Sequence, residues 1–148
     1  MNTVLGSQFE TSLRVLLLLE AANNDPLDEV AIAGLDYITI YANDFDLSDS
    51  NLHGDSKYRF GEFASRRTII KAAVKQLVLD GLVVATHSSE GFRYQLSEDG
   101  IDFAASLTSD YANAYCETAE RVLKGLDMFE GTLSEMITQE SIELMRRG

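Results

Sequence analysis

The sequence predicts a mainly helical α+β domain, a winged helix-turn-helix with a two-stranded wing and extra C-terminal helices. Four observations predict it. From residue 61 onward, apolar side chains recur at helical spacing: Ile69, Ile70, Ala73, Val74 and Leu77. Asp80-Gly81 ends that helix, because glycine takes the left-handed conformation in which the last carbonyls find donors. Two β-prone runs follow, residues 82–86 and 92–96, around a polar turn, His87-Ser88-Ser89-Glu90-Gly91. Ser97-Glu98-Asp99-Gly100 then opens another helix. Helix, glycine stop, hairpin and helix is the winged order.

The 148 residues suit one domain (1–148), with 108–148 as a C-terminal helical extension. Hydrophobic residues make up 45% of the chain, enough for a packed core rather than long disorder. One cysteine, Cys116, permits no internal disulfide and suits a reducing cytoplasm. No basic stretch precedes an apolar run at the N-terminus, so no signal peptide is expected. The longest apolar run, Val15 to Leu19, is too short to span a bilayer. The expectation is a cytoplasmic protein without membrane contact.

Charge is unevenly spread. The net is −12. Residues 57–93 hold seven basic side chains (Lys57, Arg59, Arg66, Arg67, Lys71, Lys75, Arg93) against three acids (Glu62, Asp80, Glu90). That local +4 leaves −16 on the rest of the chain. Nucleic acid is repelled by most of such a surface, and strong free-standing DNA binding is disfavoured.

Taken in order, Ser7-Gln8-Phe9-Glu10 is a capping box that starts the first helix. Phe9, Leu13, Leu16, Leu17 and Ala21 share a face. Val15 to Leu19 is apolar nearly all round, which implies cover on more than one side. Asn23-Asn24 breaks the helix. Asp25-Pro26 is expected to start the second helix, Asp25 as cap and Pro26 at the first position, where its missing N–H costs nothing. Leu27, Val30, Ala31, Leu35 and Ile38 lie near one face, and the helix is expected to run to about Ala42 despite the β-branched and aromatic stretch Tyr37–Tyr41.

Residues 43–60 read as a long irregular segment. Asp44, Asp46, Ser48 and Asp55 invite comparison with an EF-hand calcium loop. The sixth position would need glycine and is Asp49; the twelfth would need a bidentate Glu and is Asp55. The segment reads as a solvated loop with no metal. His53, His87 and Cys116 show no ligand spacing, and the chain has no nucleophile elbow or glycine-rich phosphate loop. No catalytic residue, cofactor or enzymatic activity is expected.

The candidate nucleic-acid contacts are Arg66, Arg67, Lys71, Lys75 and Arg93. Arg67, Lys71 and Lys75 stack at i, i+4 and i+8 on one face of the central helix, opposite Ile69, Ile70, Ala73 and Leu77. In a DNA-binding winged helix such a stripe lies over the major groove, with Arg93 of the wing near a phosphate. The plainer reading is a charged outward face that meets solvent or an acidic partner.

After the wing, Ile101, Phe103, Ala104 and Leu107 make a short amphipathic helix. Thr108-Ser109-Asp110 caps the next, with Tyr111, Tyr115, Ala119, Val122 and Leu123 at helical spacing. A last helix from Thr132 or Ser134 carries Leu133, Ile137, Ile142 and Leu144-Met145. The candidate partner interface is Tyr111, Tyr115, Met128 and Phe129, large anchors of the kind that dominate interfaces. The alternative is that each packs within the domain.

Several stretches together resemble one family. They are Asn2-Thr3-Val4-Leu5-Gly6-Ser7, Leu35-Asp36-Tyr37-Ile38-Thr39, Leu52-His53-Gly54-Asp55, residues 60–67 (FGEFASRR), Leu82-Val83 and Gly91-Phe92-Arg93-Tyr94. They are similar to the middle component of bacterial ABC-three-component systems, in particular the small subunit of Lamassu-type antiphage systems. The resemblance implies a non-catalytic adaptor, bound near the ATPase heads, that links an SMC-like ATPase subunit to an effector subunit, commonly a nuclease. The basic stripe adds the expectation of DNA contact inside the complex. A free-standing winged-helix transcriptional regulator, binding DNA as a dimer, is the alternative. The acid in the short wing tip, Glu90, and the overall charge argue against it.

Overall fold

Ser7 starts the first helix, α1 (Gln8–Ala21): its Oγ accepts the Glu10 backbone N–H at 3.0 Å. The computed structural model describes residues 7–23, 25–45, 51–52 and 59–126. Val15 to Leu19 are all buried, so α1 is covered on several sides. Burial begins only at Thr11, and Phe9 is 69% exposed rather than part of the core face. Asn23 ends the helix with a φ of 54°.

The second helix, α2 (Glu29–Ile40), starts later than the sequence suggests. Asp28, not Asp25, is the cap, accepting the Ala31 N–H at 2.7 Å. The reason is long-range. Leu27 is drawn into an antiparallel bridge with Tyr94, donating its N–H at 3.0 Å and accepting at 2.8 Å. A residue so engaged is extended and cannot sit in a helical first turn. Tyr37 to Ile40 are helical, as expected, and a short 3₁₀ turn (Ala42–Phe45) follows.

The central helix, α3 (Arg59–Leu79), begins inside the stretch expected to be irregular. It ends on Gly81, φ 80°. Gly81 N–H donates to Val78 O (3.1 Å) and Leu82 N–H to Leu77 O (3.0 Å), the paired bonds of a Schellman stop. The hairpin of β1 (Val83–Ser88) and β2 (Gly91–Leu96) follows, antiparallel, with Val83 opposite Leu96 and His87 opposite Phe92. Its turn is two residues, Ser89-Glu90, shorter than the five expected. The His87 and Phe92 rings meet edge-on at 4.8 Å and carry the pairing to the tip.

Ser97 caps α4 (Glu98–Ala105), accepting the Gly100 N–H, while its own hydroxyl donates to Gly81 O at 2.7 Å. A Cβ on Gly100 would collide with the Leu82 carbonyl, so α4 sits tight on the end of the hairpin. That close approach buries Gly100 and Ala104 and leaves Ile101 42% and Phe103 41% exposed, although amphipathic spacing assigns them to the core. Ser109 caps α5 (Asp110–Leu126) through the Ala112 N–H.

The described chain is thus mainly helical with a two-stranded antiparallel sheet. α1 and α2 pack on α3 and on α5. Tyr115, Ala119 and Val122 of α5 are fully buried with Leu16, Leu18, Ile32, Ile38 and Ile70. The start of the C-terminal extension is therefore part of the core. Burying each such Leu, Ile or Val contributes about 1.5–3 kcal/mol.

Candidate functional site

Four helices meet at a buried ionic cluster. Asp36 of α2 is 1% exposed. Arg14 of α1 donates to it through Nε (3.0 Å to Oδ1) and Nη2 (3.4 Å to Oδ2), and Nη2 also reaches Thr11 Oγ1 at 3.3 Å. The Tyr115 hydroxyl of α5 donates to Asp36 Oδ1 at 2.6 Å. Arg66 of α3 brings Nη1 to 3.7 Å from Oδ2. Burial opposes the charge on Arg14, but neighbouring Asp36 more than offsets it and holds the guanidinium protonated. Burial first, and Asp36 second, push the Tyr115 phenol well above its ordinary range. Among the described residues, two guanidinium groups around one buried carboxylate, with the Tyr115 hydroxyl, make a dry knot that ties the four helices together.

That knot reassigns two residues singled out from sequence. Arg66 is buried and turned toward Asp36, so its guanidinium is not presented to a phosphate. Tyr115 is fully buried and is a core residue rather than a surface anchor. Arg14 and Asp36 are not among the sequence candidates. The signal for them is nonetheless present: each is a lone charge inside an apolar helical run, and their signs are opposite.

Arg67, Lys71 and Lys75 do lie on the exposed side of α3. Lys71 and Lys75 line a groove of about 320 Å³ between α3 and the hairpin. Val74 and Val78 form its helical wall, and Ala85, Phe92 and Tyr94 its strand wall. These three strand residues share a face because Ala85 opposes Tyr94 and side chains alternate along a strand. Arg93 therefore projects from the opposite face, where it pairs with Glu90 at 3.1 Å. The four remaining cations do not form one surface.

Tyr111, 38% exposed, borders a larger cavity of about 690 Å³ with Leu13, Leu17, Leu52 and Leu107. Burial pushes its phenol up to about 12, with Arg14 opposing and Asp36 adding to the shift. Met128 and Phe129 lie outside the described residues, as do His53 and most of the acidic loop. Cys116 is half-buried and its thiol is pushed up to about 11, by burial and then by Glu20 and Glu120, which makes it a poor nucleophile. Among the described residues no group of three or more His, Cys, Asp or Glu is placed to hold a metal, and no helix is long and apolar enough to cross a membrane.

No curated protein and no solved structure matches the chain. One family model does, the ABC-three component (ABC-3C) system Middle Component 2, over residues 4–147. With all but the outermost residues covered, the chain belongs to the middle-component family of ABC-three component systems.

Proposed function

We propose that this chain is a non-catalytic adaptor of a Lamassu-type antiphage complex, holding an SMC-like ATPase and a nuclease-type effector together in the cytoplasm. The observation that carries the reading is membership of a middle-component family, which implies partner subunits. A winged-helix body is supported by the element order. Helix α1, the single bridging residue Leu27, helices α2 and α3, then the β1–β2 hairpin follow the winged sequence, with Leu27 as a minimal first strand on β2. The buried knot ties four helices into one body, which suits a subunit that holds two partners together, and its polar groups serve packing rather than chemistry.

The regulator reading draws on one observation, the exposed Arg67, Lys71 and Lys75 on α3 beside a hairpin. It is the weaker one, since Arg66 is internal and Arg93 faces elsewhere in a chain of net charge −12. Co-expression with the two neighbouring gene products, pull-down on this subunit and phage plating test the adaptor. Both partners should be retained, and protection should be lost on deleting the subunit. Association of the partners and full protection without it would overturn the proposal.

A further inference from the structure

The geometry points to the groove between α3 and the hairpin as the docking site of an acidic, amphipathic segment of a partner protein. The groove is apolar at its floor and cationic along one rim. Val78, half-buried, and Phe92, 54% exposed, offer aliphatic and aromatic contact above the buried Val74. Leu79, at the end of the same wall, is 71% exposed. Burying large apolar groups in water's place is favourable, and exposed ones clustered around a concavity mark a contact surface. Lys71 and Lys75 stand one turn apart, about 6 Å along the axis. They match two carboxylates at i and i+4 of a helical segment, or at i and i+2 of an extended one.

Charge selects the occupant. An acidic chain that places two lysines beside an apolar groove repels most acidic surfaces except there, which favours one orientation of approach. Glu29 lies at the Tyr94 side of the groove and, after burial, is what raises the Tyr94 phenol. The acids of the occupant are therefore confined to the α3 rim. DNA fits less well. Its phosphates gain nothing from Val78 and Phe92, and Arg93 projects from the far face of the hairpin. The inference deepens the adaptor reading and rests on it only for the occupant being a subunit of the same system.

Two measurements keep the two readings apart. The full-length chain, labelled with ¹⁵N, is titrated with a Leu/Glu amphipathic peptide, its Leu/Lys counterpart and a random-sequence DNA duplex. The Leu/Glu peptide should shift the amides of Lys71, Lys75, Leu79 and Phe92. Binding should weaken about tenfold or more for the Leu/Lys peptide and for the exposed-site variant Lys71→Glu/Lys75→Glu. Equal binding of both peptides, or groove shifts from the duplex alone, would overturn the inference. In the co-expressed complex, a photo-crosslinking residue replaces Leu79. It should capture a partner segment with an apolar residue flanked by acids. Assembly with capture of DNA, of a non-acidic segment or of nothing overturns the groove and leaves the adaptor standing. Peptide binding without any assembly has the reverse meaning.

Discussion

Replacing Asp36 with alanine removes the carboxylate shared by Arg14, Arg66 and Tyr115. Arg14 is 3% exposed and Asp36 1%, so water does not replace the lost partner. Removing one member of a buried ion pair costs about 3–5 kcal/mol, because the remaining charge is left uncompensated. A domain of this size has about 5–15 kcal/mol of stability to lose. The melting temperature should fall by about 6–20 °C, at about 2–4 °C per kcal/mol. Urea unfolding followed by circular dichroism gives the change directly, with an unchanged denaturant slope. A double-mutant cycle on Arg14→Met and Asp36→Leu should show a coupling of about 2 kcal/mol, since replacing both charges leaves less unpaired than replacing either. A loss below about 1 kcal/mol for Asp36→Ala, or strict additivity in the cycle, would refute the structural role of the knot.

Further outcomes follow from the same geometry. Gly100→Ala should destabilise by about 1–3 kcal/mol, read as a lower urea midpoint, because a Cβ meets the Leu82 carbonyl. Asp28→Ala should cost about 1 kcal/mol as a lost helix cap, whereas Asp25→Ala should stay within about 0.5 kcal/mol; equal costs would contradict the late start of α2. Tyr115→Phe tests the alkaline limb of stability. The native phenol is raised above 10.0, so above about pH 10 the unfolded chain loses this proton first and stability falls as pH rises. The Phe variant has a lower midpoint at neutral pH, by about 1–2 kcal/mol for the lost hydrogen bond, but a shallower decline above about pH 10.

Features set by neighbouring residues are legible in the amino-acid sequence. The Ser7 and Ser97 caps, the Gly81 stop and the hairpin depend on bonds that span a few residues. Amphipathic spacing succeeds along α3, where Ile70, Ala73, Val74 and Leu77 are buried, and fails at Phe9, Ile101 and Phe103. A helical wheel assigns an angle, not the distance to the covering element. α4 shows the difference, since a glycine contact draws it in on its small-residue side and leaves its large apolar residues out. The basic stripe is half legible for a related reason. Lys71 and Lys75 share a face by periodicity, but that the face opens on an apolar groove depends on where the hairpin folds back.

Among the described residues the sequence by itself determined the order of the helices and the hairpin and most caps and stops; the helix expected from Thr132 or Ser134 lies outside the described residues. The sequence also determined the acidic balance and the middle-component family. These rest on local backbone chemistry, on additive charge, and on a pattern spread over nearly the whole chain. Only the tertiary structure decided that Leu27 leaves the second helix to pair with Tyr94, that Arg66 and Tyr115 turn inward, and that Arg14 and Asp36 matter at all. Asp36 and Tyr115 are 79 residues apart, and Arg14 and Asp36 are 22. A charge in an apolar run is tolerated only if its counter-charge arrives in the same dry volume, and which residue arrives there is set by how the helices cross.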